Sequence, residues 1–335
     1  MSGMNGLTIV HRFFVLCLAM LLSSLASADL QLPAKQWLEK MQTAAIHQNY
    51  RGVFVFSRDE ATSSMRIVHR YDRGEEQERL IQLDGEKGEV FRRGAVVMCV
   101  FPDNRVVQVE PSQLTNKIVQ AFAKFEPDHH YYRIEMAGQD RLIDRSSIKI
   151  SVMAQDAHRY SYVLWLDQQT GLLLKSVLQN DQGVELERFQ YTQIEFPLHI
   201  ADDELQVTKT GTLVKHEVIP SAKKDRRWPS EMKWMVDWAP PGFKKVSGPL
   251  DPGDNVMVYS DGLASYSVFI EASENKMLPE GASLVGATVA YAQKFQFGEH
   301  RYNVTVVGEV PAMTAMMVAE SVKPGQYELD DVLAE

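Results

Sequence analysis

The chain has 335 residues, of which 45% are hydrophobic and 24% are charged, and its formal net charge is −9. This length predicts a globular protein with about two domains. The acidic balance argues against a nucleic-acid-binding protein, which presents a basic surface to phosphates. With only 2 cysteines the chain is not a disulfide scaffold either.

The first 28 residues have the pattern of a secretory signal peptide. Arg12 precedes an apolar run, Phe13 to Leu22, and the small-residue site Ala26-Ser27-Ala28 follows. We therefore expect cleavage after Ala28 and an exported mature protein. An uncleaved membrane anchor is the alternative, but the apolar run is short for a membrane span.

The mature chain begins with a helix and continues with closely spaced strands. Apolar residues at helical spacing predict a helix over Pro33–Tyr50. Turn residues then separate short apolar or alternating segments, which is typical of an antiparallel meander. The predicted strands are Gly52–Phe56, Met65–Tyr71, Glu78–Asp84, Glu89–Arg93, Val96–Phe101 and Arg105–Val109.

A second helix interrupts the strands from Pro111 onward, with an apolar stripe formed by Leu114, Ile118, Phe122 and Phe125. More strands are expected after it, at Tyr132–Ala137, Arg141–Asp144, Ser147–Ala154 and Glu185–Ile194. Two helices are thus available to cover one face of the sheet.

The clearest hairpin lies between Tyr160 and Val177. Two apolar runs flank the turn Gln168-Gln169-Thr170-Gly171, in which Gly171 can take a positive φ. The run Tyr160–Asp167 is apolar on both faces, so neither face can simply meet water. We therefore predict an α+β fold with a large, curved antiparallel sheet covered by helices, plus a smaller α+β domain at the C-terminal end.

The composition changes after Phe196. We expect residues 29–198 to form the first domain, 199–220 a linker, 221–323 the second domain and 324–335 an acidic tail. In the second domain, strands are predicted at Asn255–Ser260, Leu263–Ala272, Ser283–Gln293 and His300–Gly308, followed by a helix over Ala312–Ser321.

Motifs for catalysis are absent from the sequence. It lacks a Gly-x-Ser-x-Gly elbow, a His-Glu-x-x-His pair and a phosphate-binding glycine loop. The adjacent residues His129 and His130 could be considered as metal ligands, but they would point to opposite faces of an extended chain. We therefore predict no catalytic residue, no metal ligand and no cofactor, and a hydrolase is a weak alternative.

The positive signals concern surfaces. Several predicted strands are apolar on both faces, and two helices do not obviously cover all of this apolar surface. The concave face of the sheet could therefore hold an acyl chain or an apolar segment of a partner. The alternative is that helices and the second domain fill that face. The basic segment around Arg226, Arg227 and Trp228 could meet an acidic partner or a lipid phosphate, or could be a solvated linker.

Four motifs resemble the RseB/MucB family along most of the mature chain. They are Tyr160–Asp167, Leu83-Asp84-Gly85 with Glu89–Gly94, Tyr259-Ser260-Asp261-Gly262-Leu263-Ala264-Ser265, and Val307–Pro311. The first motif, Tyr160–Asp167, is by itself weak evidence for this family, because lipoprotein carriers have a similar hairpin. The Tyr-Ser-Asp-Gly-Leu motif of the second domain is far more specific.

The resemblance implies a periplasmic negative regulator of an envelope-stress sigma factor. Such a protein binds the periplasmic region of a single-pass anti-sigma factor of the RseA or MucA type and shields it from regulated proteolysis. The first domain would be a half-barrel like that of lipoprotein carriers, and lipid or lipopolysaccharide binding would release the partner. A periplasmic lipid or lipoprotein carrier is the alternative. The sequence leaves the oligomeric state open, including a homo-oligomer.

The residues assigned to these two surfaces are predictions. For lipid binding we predict Phe54, Phe56, Leu114, Ile118, Phe122, Tyr162, Leu164 and Leu166. For partner binding we predict Arg226, Arg227, Trp228, Tyr259, Asp261, Leu263 and Tyr266. Turn or core positions are the alternative for the second set, and Asp261-Gly262 suits a turn.

Overall fold

The computed structural model describes residues 32–101, 103, 105–109, 130–206, 212–215, 234–246, 256–272, 279–298 and 300–325. Its first unit begins with helix α1, Ala34–His47. The strands that follow are β1 (Tyr50–Arg58), β2 (Ala61–Asp72), β3 (Glu75–Gln82), β4 (Glu89–Arg93), β5 (Val96–Val100), β6 (Arg105–Val109), β7 (Tyr132–Leu142), β8 (Arg145–Ala154), β9 (Ser161–Asp167), β10 (Leu173–Gln179), β11 (Glu185–Glu195) and β12 (Thr212–Lys215).

These strands form one open sheet. Within the described residues it has 12 strands in the order β12-β6-β5-β4-β3-β2-β1-β11-β10-β9-β8-β7. Every neighbouring pair is antiparallel except β12 and β6, which run parallel. The edges β12 and β7 do not pair with each other, so the sheet does not close. The predicted fold class, a large open antiparallel sheet with few helices, is confirmed.

The core of this unit lies on one face of the sheet, which we call the inner face. Phe54, Ile150 and Leu164 are buried there in one cluster with Trp37, Leu38 and Met41 of α1. The three α1 residues are at most 1% exposed. Their spacing along the helix places them on one side, as the sequence predicted.

The opposite, outer face is partly covered by the chain that follows β11. A short 3-10 helix, Asp202–Leu205, follows Ile200. Ile200 and Leu205 are buried against Val68, and Arg70 donates to the carbonyl of Ile200 at 2.8 Å. Part of the segment that we expected to be a linker therefore packs on the first sheet, and β12 extends that sheet. The domain boundary itself stays a prediction.

The predicted hairpin is the pair β9 and β10. The carboxylate of Asp167 accepts from the backbone N–H of Thr170 at 2.7 Å and from Nε of Arg145 at 2.5 Å. Gly171 closes the turn at a φ of +84°. Burial opposes ionisation of Asp167, but the hydrogen bonds from Arg145 and Thr170 outweigh it and lower the pKa of this carboxyl group.

Two strand predictions differ from the structure. Tyr132–Ala137 and Arg141–Asp144 were expected as separate strands, whereas β7 is continuous and absorbs a bulge at Gly138, whose φ is +105°. Ser283–Gln293 was expected as one strand, whereas a turn at Gly286 divides it. Glycine supplies the backbone conformation in both places, but whether the chain bulges or reverses depends on its neighbours.

The second unit is a smaller sheet with one helix. Its elements are β13 (Trp234–Val236), β14 (Lys244–Lys245), β15 (Val256–Ser260), β16 (Ser265–Ala272), β17 (Gly281–Val285), β18 (Thr288–Phe297), β19 (His300–Gly308), α2 (Ala312–Glu320) and β20 (Val322–Pro324). Within the described residues, six strands form a sheet in the order β14-β15-β16-β19-β18-β17, while β13 pairs with β20. Helix α2 contacts β18 and β19.

Among the described residues, no helix combines the length and the apolar character that a membrane span requires. The predicted signal peptide lies outside the described residues.

Candidate functional site

The structure brings the described members of the predicted lipid-binding set onto the inner face. Phe54 and Phe56 of β1 lie opposite Tyr191 and Phe189 of β11. The rings of Phe54 and Phe189 are 4.9 Å apart between centroids. Tyr162, Leu164 and Leu166 of β9 lie opposite Val152, Ile150 and Ile148 of β8. Leu114, Ile118 and Phe122 lie outside the described residues.

Most of this inner face is filled. Leu164 and Leu166 are 0% exposed, and Phe54 and Tyr162 are 8% and 7% exposed. Helix α1 and the neighbouring strands cover them, so an acyl chain would have to displace protein side chains to reach these four residues. Burial also raises the pKa of Tyr162 far above its ordinary value, so its hydroxyl stays protonated.

One part of the inner face is more open. Phe56, Met65 and Leu80 are half-buried and flank the core cluster. Met65 pairs with Phe54 across β1 and β2, which places it on the same face. Leu80 pairs with Ile67 of β2 and shares that face as well. These three residues, which we call the open apolar patch, are more exposed than the four buried residues described above.

The second candidate site is the joint between the two units, and Arg159 is its centre. This residue precedes β9 and is 2% exposed, and Asp261 of the second unit is 5% exposed. Nη1 of Arg159 donates to Oδ2 of Asp261 at 2.6 Å. Nη2 donates to the carbonyl of Pro241 at 2.6 Å. The guanidinium group thus ties the first unit to two loops of the second unit.

Further groups complete the hydrogen bonding of Asp261. The hydroxyl of Tyr132 donates to Oδ2 at 3.1 Å. Oδ1 accepts from the backbone N–H groups of Leu263 at 2.9 Å and Ala264 at 2.7 Å. Burial, followed by the charge of Asp261, raises the pKa of Tyr132 well above its ordinary value, so this hydroxyl remains a donor. Removing one member of such a buried pair is strongly destabilising, because it leaves the charge of the other member uncompensated.

Aromatic rings pack around the guanidinium group of Arg159. The ring centroids of Tyr131 and Phe243 lie 4.7 Å and 5.1 Å from it. Gly242, which precedes Phe243, has a φ of +90°, and a Cβ at this position would overlap the ring of Tyr131. The close approach of this loop to the first unit therefore requires glycine.

Two residues of the second unit enter the core of the first. Leu263 and Ala287 are 6% and 0% exposed and belong to the cluster on the inner face. Beside Ala287, the backbone N–H of Gly286 donates to the carboxylate of Asp59 at 2.6 Å. The joint therefore combines an apolar part with several polar contacts, around Arg159 and at Asp59.

The predicted partner-binding residues have different locations. Asp261 and Leu263 lie in the joint. Tyr259 and Tyr266 stack on each other with centroids 5.2 Å apart and belong to the core of the second unit. Arg226, Arg227 and Trp228 lie outside the described residues. Direct contact of these residues with a partner stays a prediction.

Sequence reasoning missed Arg159, Tyr132 and Gly242. Arg159 pairs with a residue 102 positions away, and no local pattern indicates such a pair. Gly242 follows two prolines, which indicates a turn but not a contact with another domain. The sequence offered one indirect indication of this site: the motif around Asp261 is more specific than a turn alone requires.

Both units of the chain match models of known protein families. The family model described as the MucB/RseB N-terminal domain matches residues 33–208, and that of the MucB/RseB C-terminal domain matches residues 229–323. The chain belongs to the MucB/RseB family. The resemblance that the sequence motifs indicated is confirmed.

Relatives match nearly their whole length. The sigma factor AlgU regulatory protein MucB of Pseudomonas aeruginosa is 34% identical over 300 residues, which is 87% of this chain and 91% of the relative. The sigma-E factor regulatory protein RseB of Escherichia coli K12 is 28% identical over 300 residues, 86% of this chain and 90% of the relative. The solved MucA/MucB complex of Pseudomonas aeruginosa is 33% identical, covers 88% of this chain and 99% of that chain, and has a TM-score of 0.68.

Proposed function

We propose that this protein is a regulatory binding protein of the periplasm, exported by residues 1–28 with cleavage after Ala28. It binds the periplasmic region of a membrane anti-sigma factor of the MucA/RseA type and shields it from regulated proteolysis. In this way it restrains an envelope-stress sigma factor. We propose binding, not catalysis, as its activity.

The observation that carries this proposal is the match to the MucA/MucB complex along both units of the chain. A lipoprotein carrier would need only the first sheet. Here the second unit is fixed to that sheet by a buried ion pair and by Leu263 in its core. A partner therefore meets both units in a defined arrangement, which favours a two-domain binding protein over a carrier.

The decisive experiment measures partner binding and protection together. Residues 29–335 would be titrated with the periplasmic segment of the host's anti-sigma factor, and digestion of that segment would be followed with and without the protein. We expect micromolar or tighter binding and slower cleavage. Absence of both effects would contradict the proposal. Tight acyl-chain binding without partner binding would indicate a carrier instead.

The contact residues remain part of the proposal. We propose that the basic segment with Arg226, Arg227 and Trp228 contacts the partner. Asp261 and Leu263 act indirectly, because they hold the units in the arrangement that the partner meets, and Tyr259 and Tyr266 support that arrangement from the core of the second unit. Unchanged affinity after combining Arg226→Glu with Arg227→Glu would remove the basic segment from this proposal.

We further propose that lipid or lipopolysaccharide lowers the affinity for the partner by binding at the open apolar patch. A ligand shifts such an equilibrium only if it binds the partner-free form more tightly. Phe56→Gln should weaken the effect of lipopolysaccharide on partner binding, because it places an amide among apolar side chains. Val55→Gln is the matched control, since Val55 is the neighbouring half-buried residue on the outer face. An equal lipid response in both variants would exclude the patch.

A further inference from the structure

A charged cluster lies on the inner face beneath the end of α1, apart from the open apolar patch and the joint. His69 of β2 is 0% exposed, and Glu78 of β3 is 8% exposed. They are cross-strand partners, and Arg92 of β4 is the next residue in the same row. Glu76, two residues before Glu78, shares the face. One ring nitrogen of His69 and one carboxylate oxygen each from Glu76 and Glu78 all lie within 4.8 Å of one another.

Both ring nitrogens of His69 face hydrogen-bond acceptors. Nδ1 lies 2.9 Å from the carbonyl oxygen of Gln48, at the end of α1. Nε2 lies 3.2 Å from Oε1 of Glu76. A carbonyl only accepts, so Nδ1 carries a hydrogen, and a neutral ring would then turn its lone pair toward a carboxylate. The contact with Glu76 therefore requires one further proton, on the ring or on a carboxyl group.

The charges in the cluster lead to the same requirement. Nη1 of Arg92 donates to Oε2 of Glu76 at 2.8 Å, Nη2 contacts Oε1 of Glu76, and Nη2 lies 3.4 Å from Glu78. Two carboxylates and one guanidinium group sum to −1. An uncompensated charge is unfavourable at a buried site. One additional proton makes the cluster neutral.

Among the described residues, the rings that pack on this cluster add no compensating charge. The ring of Tyr50 stacks on His69 at 4.6 Å between centroids, and Tyr191 lies beyond it on the inner face. Burial raises the pKa of both tyrosines, so they stay neutral. His47 of α1 packs against Tyr71 at 4.5 Å, outside the cluster.

We propose that His69, Glu76, Glu78 and Arg92 form a proton-dependent clasp, which holds the end of α1 on the inner face while it retains one shared proton. The link to the helix is the hydrogen bond from His69 to Gln48. Loss of the proton sets the neutral ring against Glu76, strains that bond and loosens the helix. Because α1 covers the inner face, the clasp makes access to that face depend on pH. This inference is independent of the proposed partner.

The direction of the pH effect follows from proton counting. Burial raises the pKa of Glu78 above its ordinary 4.5 and lowers the pKa of His69 below its ordinary 6.5. A clasp that keeps its proton above pH 6.5, where the unfolded pair holds none, makes the stability of the fold decrease as the pH rises. Below pH 4.5 the unfolded pair holds two protons and the clasp holds one, so stability decreases as the pH falls. The contribution of the clasp is greatest between these values.

Glu76→Gln provides the test, because its amide can donate to Nε2 of the neutral His69 ring and Arg92 then balances the charge of Glu78, so the cluster needs no extra proton. Urea unfolding of residues 29–335 would be measured from pH 6.5 to 8.5. We expect the unfolding equilibrium constant of the wild type to rise more steeply than that of Glu76→Gln, by up to about tenfold per pH unit. Glu75→Gln is the matched control. It lies on the other face of β3, is paired with Arg93, and its lowered pKa keeps its titration below this range.

Amide exchange tests the link to the helix. In the wild type, protection of the amides from His47 to Tyr50, corrected for intrinsic exchange, should decrease between pH 6.5 and 8.5. In Glu76→Gln it should remain constant. Equal pH slopes of unfolding in the wild type and both variants would overturn the proposal. A wild type whose protection is unchanged over this range would overturn it as well, even if Glu76→Gln failed to fold.

Discussion

At the scale of single residues, the joint contains buried charged side chains that are stable there only because neighbouring groups pair with them. The guanidinium of Arg159 has almost no contact with water, yet its donors reach Asp156, Asp261 and the carbonyl of Pro241. Removing one partner of such a buried pair leaves an uncompensated charge. The joint is therefore specific, because another arrangement of the units would leave Arg159 or Asp261 without these bonds.

Gly242 offers the sharpest test of a single residue. In Gly242→Ala the Cβ overlaps the ring of Tyr131, in addition to occupying a φ of +90°. The left-handed backbone costs about 1–2 kcal/mol, and the crowding adds roughly 1–3 kcal/mol. Urea unfolding measures the sum of these two effects.

Gly183→Ala is the control for this prediction. Gly183 has a φ of +76°, but a Cβ there meets nothing within 4 Å. It therefore reports the backbone cost without the crowding. If both substitutions destabilised the protein equally, the contact between Gly242 and Tyr131 would have no energetic role.

At the scale of elements, the first sheet is protected on its two faces by different parts of the chain. Helix α1 covers the inner face, while residues 200–206 cover part of the outer face along β2 to β4. Arg79 donates to the carbonyl of Glu204 at 3.2 Å, and Ile200 fills the space beside Val68. The outer face of β9 is covered differently, since the ammonium groups of Lys149 and Lys175 lie 5.0 Å and 4.5 Å from the ring centroid of Trp165.

Ile200→Ala tests the importance of this outer cover. Ile200 is 0% exposed, so the substitution leaves a cavity and should reduce the free energy of unfolding by about 2–5 kcal/mol. Amide exchange should increase locally along β2 and β3. Leu198→Ala, at a residue in the same segment that is 101% exposed, should change neither measurement. A similar loss from both substitutions would mean that this segment does not act through packing.

At the scale of the whole molecule, the joint gives the two cores a shared apolar surface. Leu263 and Ala287 of the second unit are buried in the cluster of the first, and His158 of the first unit contacts Thr314 of α2 at 3.2 Å. We expect heat to unfold both units in a single transition, since opening either unit exposes this shared surface.

Asp261→Asn should separate that transition into two. The amide keeps an oxygen for the N–H groups of Leu263 and Ala264, but Arg159 loses its ion pair across the joint and keeps only the one with Asp156 of its own unit. Differential scanning calorimetry would show the change. Asp237→Asn is the control, since Asp237 pairs with Lys323 at the surface of the second unit, and it should retain one transition. A single transition in Asp261→Asn would show that the apolar contacts suffice for coupling.

The sequence by itself determined the elements and the class of fold. Periodicity located α1 and most strands, and Gly171 marked the hairpin, because these features depend on neighbouring residues. The family motifs were also visible. Asp261 was recognised as part of a specific motif, but its role could not be read from the sequence, since a turn and a buried ion pair use the same residue.

The tertiary structure alone decided what these residues face. It placed Arg159 against Asp261, filled the inner face around Leu164 and Leu166, and left Phe56 at its open part. It also gathered His69, Glu76, Glu78 and Arg92 into one row. The physical reason is that burial and charge compensation depend on distances between residues far apart in the chain. Local patterns determine which way each strand turns its side chains, but not which side chains they meet.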